Sequence, residues 1–382
     1  MSALPCVDTC LGQDQIVLTR LAAARAAMHK ADMEALLITG EQDIRYLVGC
    51  HGHDVKLLLT QDLAGLVSDR RYEEYLDPWG QTGHYHVHID SNRAGQWKWM
   101  ASMLGNAEIS TLHVQAAHTT LTMQATMEEA MPGIKITSGT SICTPLRMKK
   151  SADEVDAIRR AIDIQVEALR AMQADLSLQM TEGQASARLI YEMRCRGAES
   201  ESFEPIVGSG ANASIIHHVP GNSPIVPGVL LVDWGARVDG LCSDLTRTFF
   251  LGSPPDELAN VYQVIDQARQ SAIAVCTAGR PVQEVDAAAR QVIESAGYGE
   301  QFGHGVGHGL GRDVHEQPFM GRAAADTVLE EGMVVTIEPG IYLPGIGGVR
   351  LEDDVLITGS DPVVLSADLE TSFESACLAL PH

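Results

Sequence analysis

The chain is short of positive charge. Lys and Arg number 27 against 50 Asp and Glu, for a formal net charge of −23 at pH 7. That imbalance argues against the phosphate backbone of a nucleic acid or an anionic membrane surface as partner, since both would be repelled. Long apolar runs are missing too. None approaches the length that spans a bilayer, and the amino terminus MSALPCVDTCLGQDQ has neither the basic nor the long apolar region of a signal peptide. Cysteines stand at positions 6, 10, 50, 143, 195, 242, 276 and 377, with no paired zinc spacing. A disulfide framework is not expected in a chain this large. Reduced thiols are the simpler account, and a cytoplasmic protein is the expectation.

What is present is 382 residues with 45% hydrophobic content, enough for two domains with a core each. Ile16, Leu18, Leu21 and Met28 predict an amphipathic helix, followed by a buried strand over 35–39. Short strands are expected at 56–60, 65–68, 87–89, 111–114 and 134–136, with helices near 71–76, 96–104 and 121–130. His51, His53, His84, His86 and His88 are left unassigned, because the HYHVH run alternates as a surface or substrate-facing strand does. The segment 139–145 reads as a linker, which divides the chain into domains 1–144 and 145–382.

Beyond the linker, Ser151-Ala-Asp-Glu154 and Thr181-Glu-Gly-Gln184 are capping boxes that open helices. A strand is expected at 203–207. Pro255 and Pro281 begin two more helices, and strands follow at 333–338 and 349–358. Helix, helix, strands, twice over, predicts two halves related by an approximate two-fold, with a site at their seam.

The stretch VLLVDWGARVDGLCSDLTRTFF, 229–250, is a hairpin pattern with Asp239-Gly240 as its two-residue turn. Counting outward from that turn sets Asp233 opposite Thr246 and makes Asp244 its diagonal neighbour on the same face. Two carboxylates on one buried face repel each other and need a cation.

Further candidates follow in the second half. The segment FGHGVGHGLG alternates glycine with other residues, so an extended backbone sets His304 and His308 on one side. Missing side chains there admit close approach. It lacks the Gly-Lys-Ser/Thr ending of a phosphate loop. Glu338 ends an apolar run stopped by proline, and Arg350 shares a strand face with Glu352. Period alone leaves Glu352 and Asp354 both open. Oxygen-rich donors with one imidazole suit two divalent ions such as manganese or cobalt better than a structural zinc. Paired ions acidify a bound water and so supply a nucleophile at neutral pH.

VDWGARVDGLCSDLTRT, HGVGHGLGRDVHE, TIEPGIY and GVRLEDDV occur in the order and approximate spacing of the pita-bread metallopeptidases. The chain resembles their proline-specific branch, the Xaa-Pro aminopeptidases and Xaa-Pro dipeptidases. Upstream, IVGSGANASIIHH and LRMKKSADEVDAIRRA are similar to the substrate-histidine segment and the entry to the catalytic domain. LLITGEQDIRYLVG and VSDRRYEEYL are similar to the creatinase-type first domain. The resemblance implies an α/β two-domain chain: a creatinase-type amino-terminal α/β domain, then a pseudo-two-fold α+β pita-bread catalytic domain.

By the same resemblance Asp233, Asp244, His308, Glu338 and Glu352 hold two divalent ions, manganese ahead of cobalt or zinc, with Asp244 and Glu352 bridging. Glu338 also takes the proton of the attacking water. His217 and His315 contact the substrate as donors. His304 lines the proline pocket, and Arg350 orients substrate or water. The implied substrate is a peptide with proline second, and the implied assembly is a homodimer. Asp43, Val48 and His218 depart from common family residues, all outside the metal set. An Xaa-Pro aminopeptidase is the leading expectation and a dipeptidase the alternative. A small-molecule hydrolase or lyase and a binding module stand behind them, because all five ligand types are kept.

Overall fold

A computed structural model describes residues 14–50, 52–139, 141–324 and 326–380; Cys6, Cys10 and His51 lie outside these. The chain divides into two compact units, Met1–Arg147 and Met148–His382. The segment 139–145 is not a free linker, because the helix Cys143–Met148 starts inside it.

The first unit is built on a six-stranded sheet. Its strands are β1 (Ala35–Ile38), β2 (Lys56–Thr60), β3 (Ala64–Ser68), β4 (His86–Ile89), β5 (Thr111–Val114) and β6 (Lys135–Ser138), in the order β4-β3-β2-β1-β5-β6. β1, β2 and β3 are buried at every position. Alternate residues feed two cores: Leu36, Ile38, Leu57 and Leu59 enter one, Ala35, Leu37 and Leu58 the other. Burial on both faces explains why these strands read as unbroken apolar runs. A helix at Glu41–Val48, absent from the sequence reading, ends on Gly49 in the left-handed region. Its Asp43 is buried against Arg147 at 2.7 Å, which gives that residue a structural role in this unit. On β4, His86 is exposed and His88 stacks on Trp99.

In the second unit the helices Ala152–Ala174 and Glu182–Cys195 pack together, as do Asp256–Ile273 and Val282–Ser295. Both capping boxes form, from Ser151 with Glu154 and from Thr181 with Gln184. Pro255 and Pro281 cap the other pair, where a missing N–H costs nothing. Each helix pair is followed by strands, so the two halves repeat one plan.

The first half contains β7 (Ser200–Glu201), β8 (Ile206–Ser209), β9 (Gly228–Trp234), β10 (Ala236–Val238), β11 (Leu241–Cys242) and β12 (Leu245–Leu251). The expected strand at 203–207 starts late, at Ile206. β9 and β12 pair antiparallel with Asp233 opposite Thr246, and β10 pairs β11 with Val238 opposite Leu241. Asp239 and Gly240 both have positive φ, 49° and 76°, as a two-residue turn between twisted strands requires. On β9, Val229 and Leu231 enter a core with the helices Asp256–Ile273 and Val282–Ser295, while Leu230, Val232 and Trp234 enter the core of the other helix pair. Asp233 therefore continues the Val229–Leu231 face past the end of the apolar packing.

The second half contains β13 (Gly307–Gly309), β14 (Glu316–Met320), β15 (Val334–Ile337), β16 (Gly340–Leu343), β17 (Gly347–Arg350) and β18 (Asp353–Leu356). Here the structure corrects one expectation. The single strand at 349–358 is broken, so Arg350 and Glu352 do not share a strand face. β17 pairs with β16, β18 pairs with β15, and Leu351-Glu352 is the crossing between two sheets. Glu352 is held there by its backbone N–H, which donates to Thr246 O of the first hairpin at 3.1 Å.

Candidate metal centre

Five acidic or imidazole side chains line one cavity of the second unit. Asp233 is the last residue but one of β9, Asp244 lies between β11 and β12, and Glu352 sits in the crossing. Glu338 follows β15, where Pro339 ends the apolar run. His308 is the middle residue of β13. Its glycine neighbours are required by approach: a Cβ on Gly307 would lie 2.0 Å from Thr336 O, and one on Gly309 would lie 2.2 Å from Gln317 O. The Gly-x-Gly spacing thus lets β13 wedge between β14 and β15 and deliver one imidazole.

Ligand atoms of Asp244, His308 and Glu352 all lie within 4.8 Å of one another. His308 Nε2 is 3.7 Å from Asp244 Oδ2 and 3.3 Å from Glu338 Oε1. Asp233 is tied to the group through Arg350, whose Nη2 donates to Asp233 Oδ2 at 2.5 Å. All five side chains are buried or nearly so. Asp233 Oδ1 has no hydrogen-bond partner among the described residues.

The electrostatics are those of a buried acid cluster. Burial, then the Glu352 and Asp233 charges, push the Asp244 carboxyl well above the ordinary range. Burial and the charges of Glu338 and Asp233 do the same to Glu352. Asp233 is also raised, by burial working against the Arg350 charge. Glu338 is the exception: burial opposes its ionisation, but the His308 hydrogen bond and the His308, His304 and Arg350 charges hold it down at about 2. A buried carboxylate set of this kind, with an orphaned oxygen and an imidazole, has the donor chemistry of hard divalent cations, and the residues present fit that group.

The remaining expected residues surround the cluster. His217, on the loop after β8, and His315, before β14, line the same cavity of about 270 Å³ as the five acidic and imidazole groups. His315 packs edge-on to His308 with ring centroids 4.3 Å apart. Burial and the His308 charge lower its pKa. His304 is not in that cavity. It lines a second one of about 750 Å³ with Phe302 and Phe319, which meets the first at His217, His308, His315 and Glu338. His304 Nε2 is 3.0 Å from Tyr342 Oη.

Sequence reasoning missed Tyr342, Thr246 and Thr336. Arg350 donates to Tyr342 Oη at 2.8 Å and to Thr246 Oγ1 at 3.0 Å, while Thr246 donates to Glu352 Oε2 at 2.6 Å. Thr336 Oγ1 accepts from His308 N at 3.1 Å. The signal for Thr246 was available, since the turn count already set it opposite Asp233. Asp354, left open beside Glu352, instead accepts from Asp244 N at 3.2 Å.

Buried carboxylates and an imidazole at the seam of a duplicated helix-pair-and-sheet unit define a metal-dependent hydrolase scaffold. The model of metallopeptidase family M24 matches residues 156–359, and that of the creatinase/prolidase N-terminal domain matches residues 20–149. The chain belongs to metallopeptidase family M24, within the creatinase/prolidase superfamily, and is a metallopeptidase. An uncharacterised peptidase of Bacillus subtilis is 33% identical over 89% of this chain and 95% of its own length. Among solved structures, an Xaa-Pro dipeptidase from Bacillus anthracis has a TM-score of 0.86 at 32% identity, covering 92% of this chain and 97% of that one. An X-Pro aminopeptidase from Thermotoga maritima has a TM-score of 0.82 at 27% identity, covering 93% and 99%. These likenesses establish the creatinase-type and pita-bread architecture. No helix among the described residues is long and apolar enough to cross a membrane.

Proposed function

We propose that this chain is a two-metal peptidase that cuts the bond between an amino-terminal residue and a following proline. The convergence of Asp244, His308 and Glu352 within 4.8 Å, beside Asp233 and Glu338, is the observation that carries it. These five residues would hold the ions. Manganese is the first choice, ahead of cobalt or zinc. Bound there, the ions would polarise the scissile carbonyl and acidify water.

The chain's own side chains do the rest. Glu338, whose Oε1 lies 3.3 Å from His308 Nε2, accepts the proton of the attacking water. His217 and His315, which line the cavity with the five ligand side chains, donate to the oxygen on which charge develops. Asp233, Tyr342 and Thr246 pin the Arg350 guanidinium on three sides, so Arg350 orients substrate with little freedom to lose. The amide before proline has no N–H and resists a regular extended pose, so it needs a pocket for a ring, which His304 and Phe302 line.

The reading preferred is an aminopeptidase, because the cavity beside His304 runs on to Phe319 and Arg322, past what a proline ring fills. A dipeptidase is the second reading, supported by the likeness to the Bacillus anthracis enzyme. A cytoplasmic homodimer belongs to the same proposal. Rates on Xaa-Pro dipeptides and on longer Xaa-Pro peptides, with manganese, cobalt and zinc compared, test it. Cleavage of both is expected, and activity confined to dipeptides would overturn the aminopeptidase reading.

A further inference from the structure

His217 faces the metal cluster from an exposed position on a long loop, which raises the question of what fixes it. The loop leaves β8 at Ser209, makes a 3-10 turn over Gly210–Ser214 and returns past Pro220. No hydrogen bond from the His217 ring anchors it among those the structure records. Its neighbour does the opposite: His218 turns away from the cluster and reaches Glu182, in the first turn of the Glu182–Cys195 helix.

Glu182 is fully buried, yet both carboxylate oxygens are used. Oε1 accepts from Ser209 N at 2.8 Å and from Asn212 Nδ2 at 3.0 Å. Oε2 accepts from Asn212 Nδ2 at 3.2 Å and from His218 Nε2 at 2.8 Å. A carboxylate only accepts, so His218 carries its proton on Nε2 in this contact. One side chain thus ties Ser209, Asn212 and His218 together along the first half of the loop. The backbone beside it completes the clasp: Glu182 N donates to Ser223 O and Gly183 N to Gly221 O, both at 2.9 Å. A Cβ on Gly183 would sit 3.0 Å from Gly221 O, a tighter contact than most side chains make.

An exposed loop left to itself pays conformational entropy each time its histidine meets substrate. A displacement of about 1 Å at a reacting group costs on the order of 100-fold in rate. We infer that Glu182 and His218 are positioning residues, which hold the loop in the one conformation that presents His217 to the substrate. The role rests on the substrate contact proposed for His217. His218 acts by its hydrogen bond to Glu182 and not by touching the reacting atoms.

A double-mutant cycle on the metal-loaded full chain tests this, with metal content and melting temperature recorded for every variant. His218→Leu is expected to lower kcat/KM by about 10- to 100-fold with metal content unchanged, and His218→Gln, which keeps a donor, to recover part of the loss. In a His217→Ala background, His218→Leu is expected to lower the rate by less than about twofold further, because nothing remains to be positioned. Additive losses would overturn the positioning role while leaving the His217 contact intact. A His217→Ala enzyme as fast as the parent would overturn both. Glu182→Gln, which preserves volume, is expected to behave as His218→Leu does; unchanged kinetics would contradict the inference.

Discussion

Asp244 and His315 lie in one cavity but are held for different work. Burial and the neighbouring carboxylates push the Asp244 pKa up, and its backbone N–H donates to Asp354, so its carboxyl suits a cation. His315 is less buried, and burial lowers its pKa. Asp244→Ala is therefore expected to abolish both metal retention and turnover, while His315→Ala keeps metal and loses about 100- to 1,000-fold in kcat. Metal analysis of the two purified variants beside their rates checks the division, and equal metal loss in both would refute it. Much of the cluster was legible in the residues, because Asp233 and Glu338 each end an apolar run and the turn count brings Asp244 to the face of Asp233, whereas strand period left Glu352 level with Asp354. Tyr342 was not. A tyrosine closing TIEPGIY shows nothing in sequence of the Arg350 and His304 contacts that occupy its hydroxyl, since these depend on a pairing of β16 with β17 that no spacing announces.

Among the elements, the 229–250 hairpin was read correctly from its turn, and the register runs unbroken in count from Val238–Leu241 out to Asp233–Thr246. Asp-Gly was a sufficient signal because both turn residues need positive φ. Gly240→Ala should cost about 1 kcal/mol of stability, visible as a lower melting temperature with the metal site intact. One residue inserted after Gly240 should instead cost activity, since a register slip turns either Asp233 or Asp244 to the opposite face. Activity equal to the parent in the insertion variant would show that the turn does not set their separation. The break at Leu351-Glu352 was beyond the sequence, because GVRLEDDVLI has strand character throughout and only the competing partners β15 and β16 divide it. The helix Glu41–Val48 was missed for a similar reason: its eight residues carry no capping side chain, only glycines at both ends.

On the scale of the whole molecule, the repeated order of helices and strands was visible in sequence, and the structure adds that β9 feeds the cores of both helix pairs. One consequence is measurable at alkaline pH. Cys276 lies within the core of the second helix pair, and burial raises its thiol from 9.0 to about 12. Between those values the unfolded chain has lost a proton that the folded chain keeps, so stability present below pH 9 falls as pH rises toward 12. Cys276→Ala should flatten the decline of unfolding free energy between pH 9 and 11, by close to one proton's contribution to the slope. An unchanged slope, measured by denaturant titration across that range, would contradict the burial argument.

The central claim is that the seam between the two halves holds two divalent ions used to hydrolyse a bond to proline. The direct measurement strips the enzyme with chelator, titrates manganese back, and follows bound metal per chain together with release of the first residue from an Xaa-Pro peptide. Two ions bound per chain, with hydrolysis absent in the stripped protein and restored as they bind, is the predicted result. Full hydrolysis by the stripped protein, or tight manganese binding with no cleavage of any Xaa-Pro peptide, would contradict it.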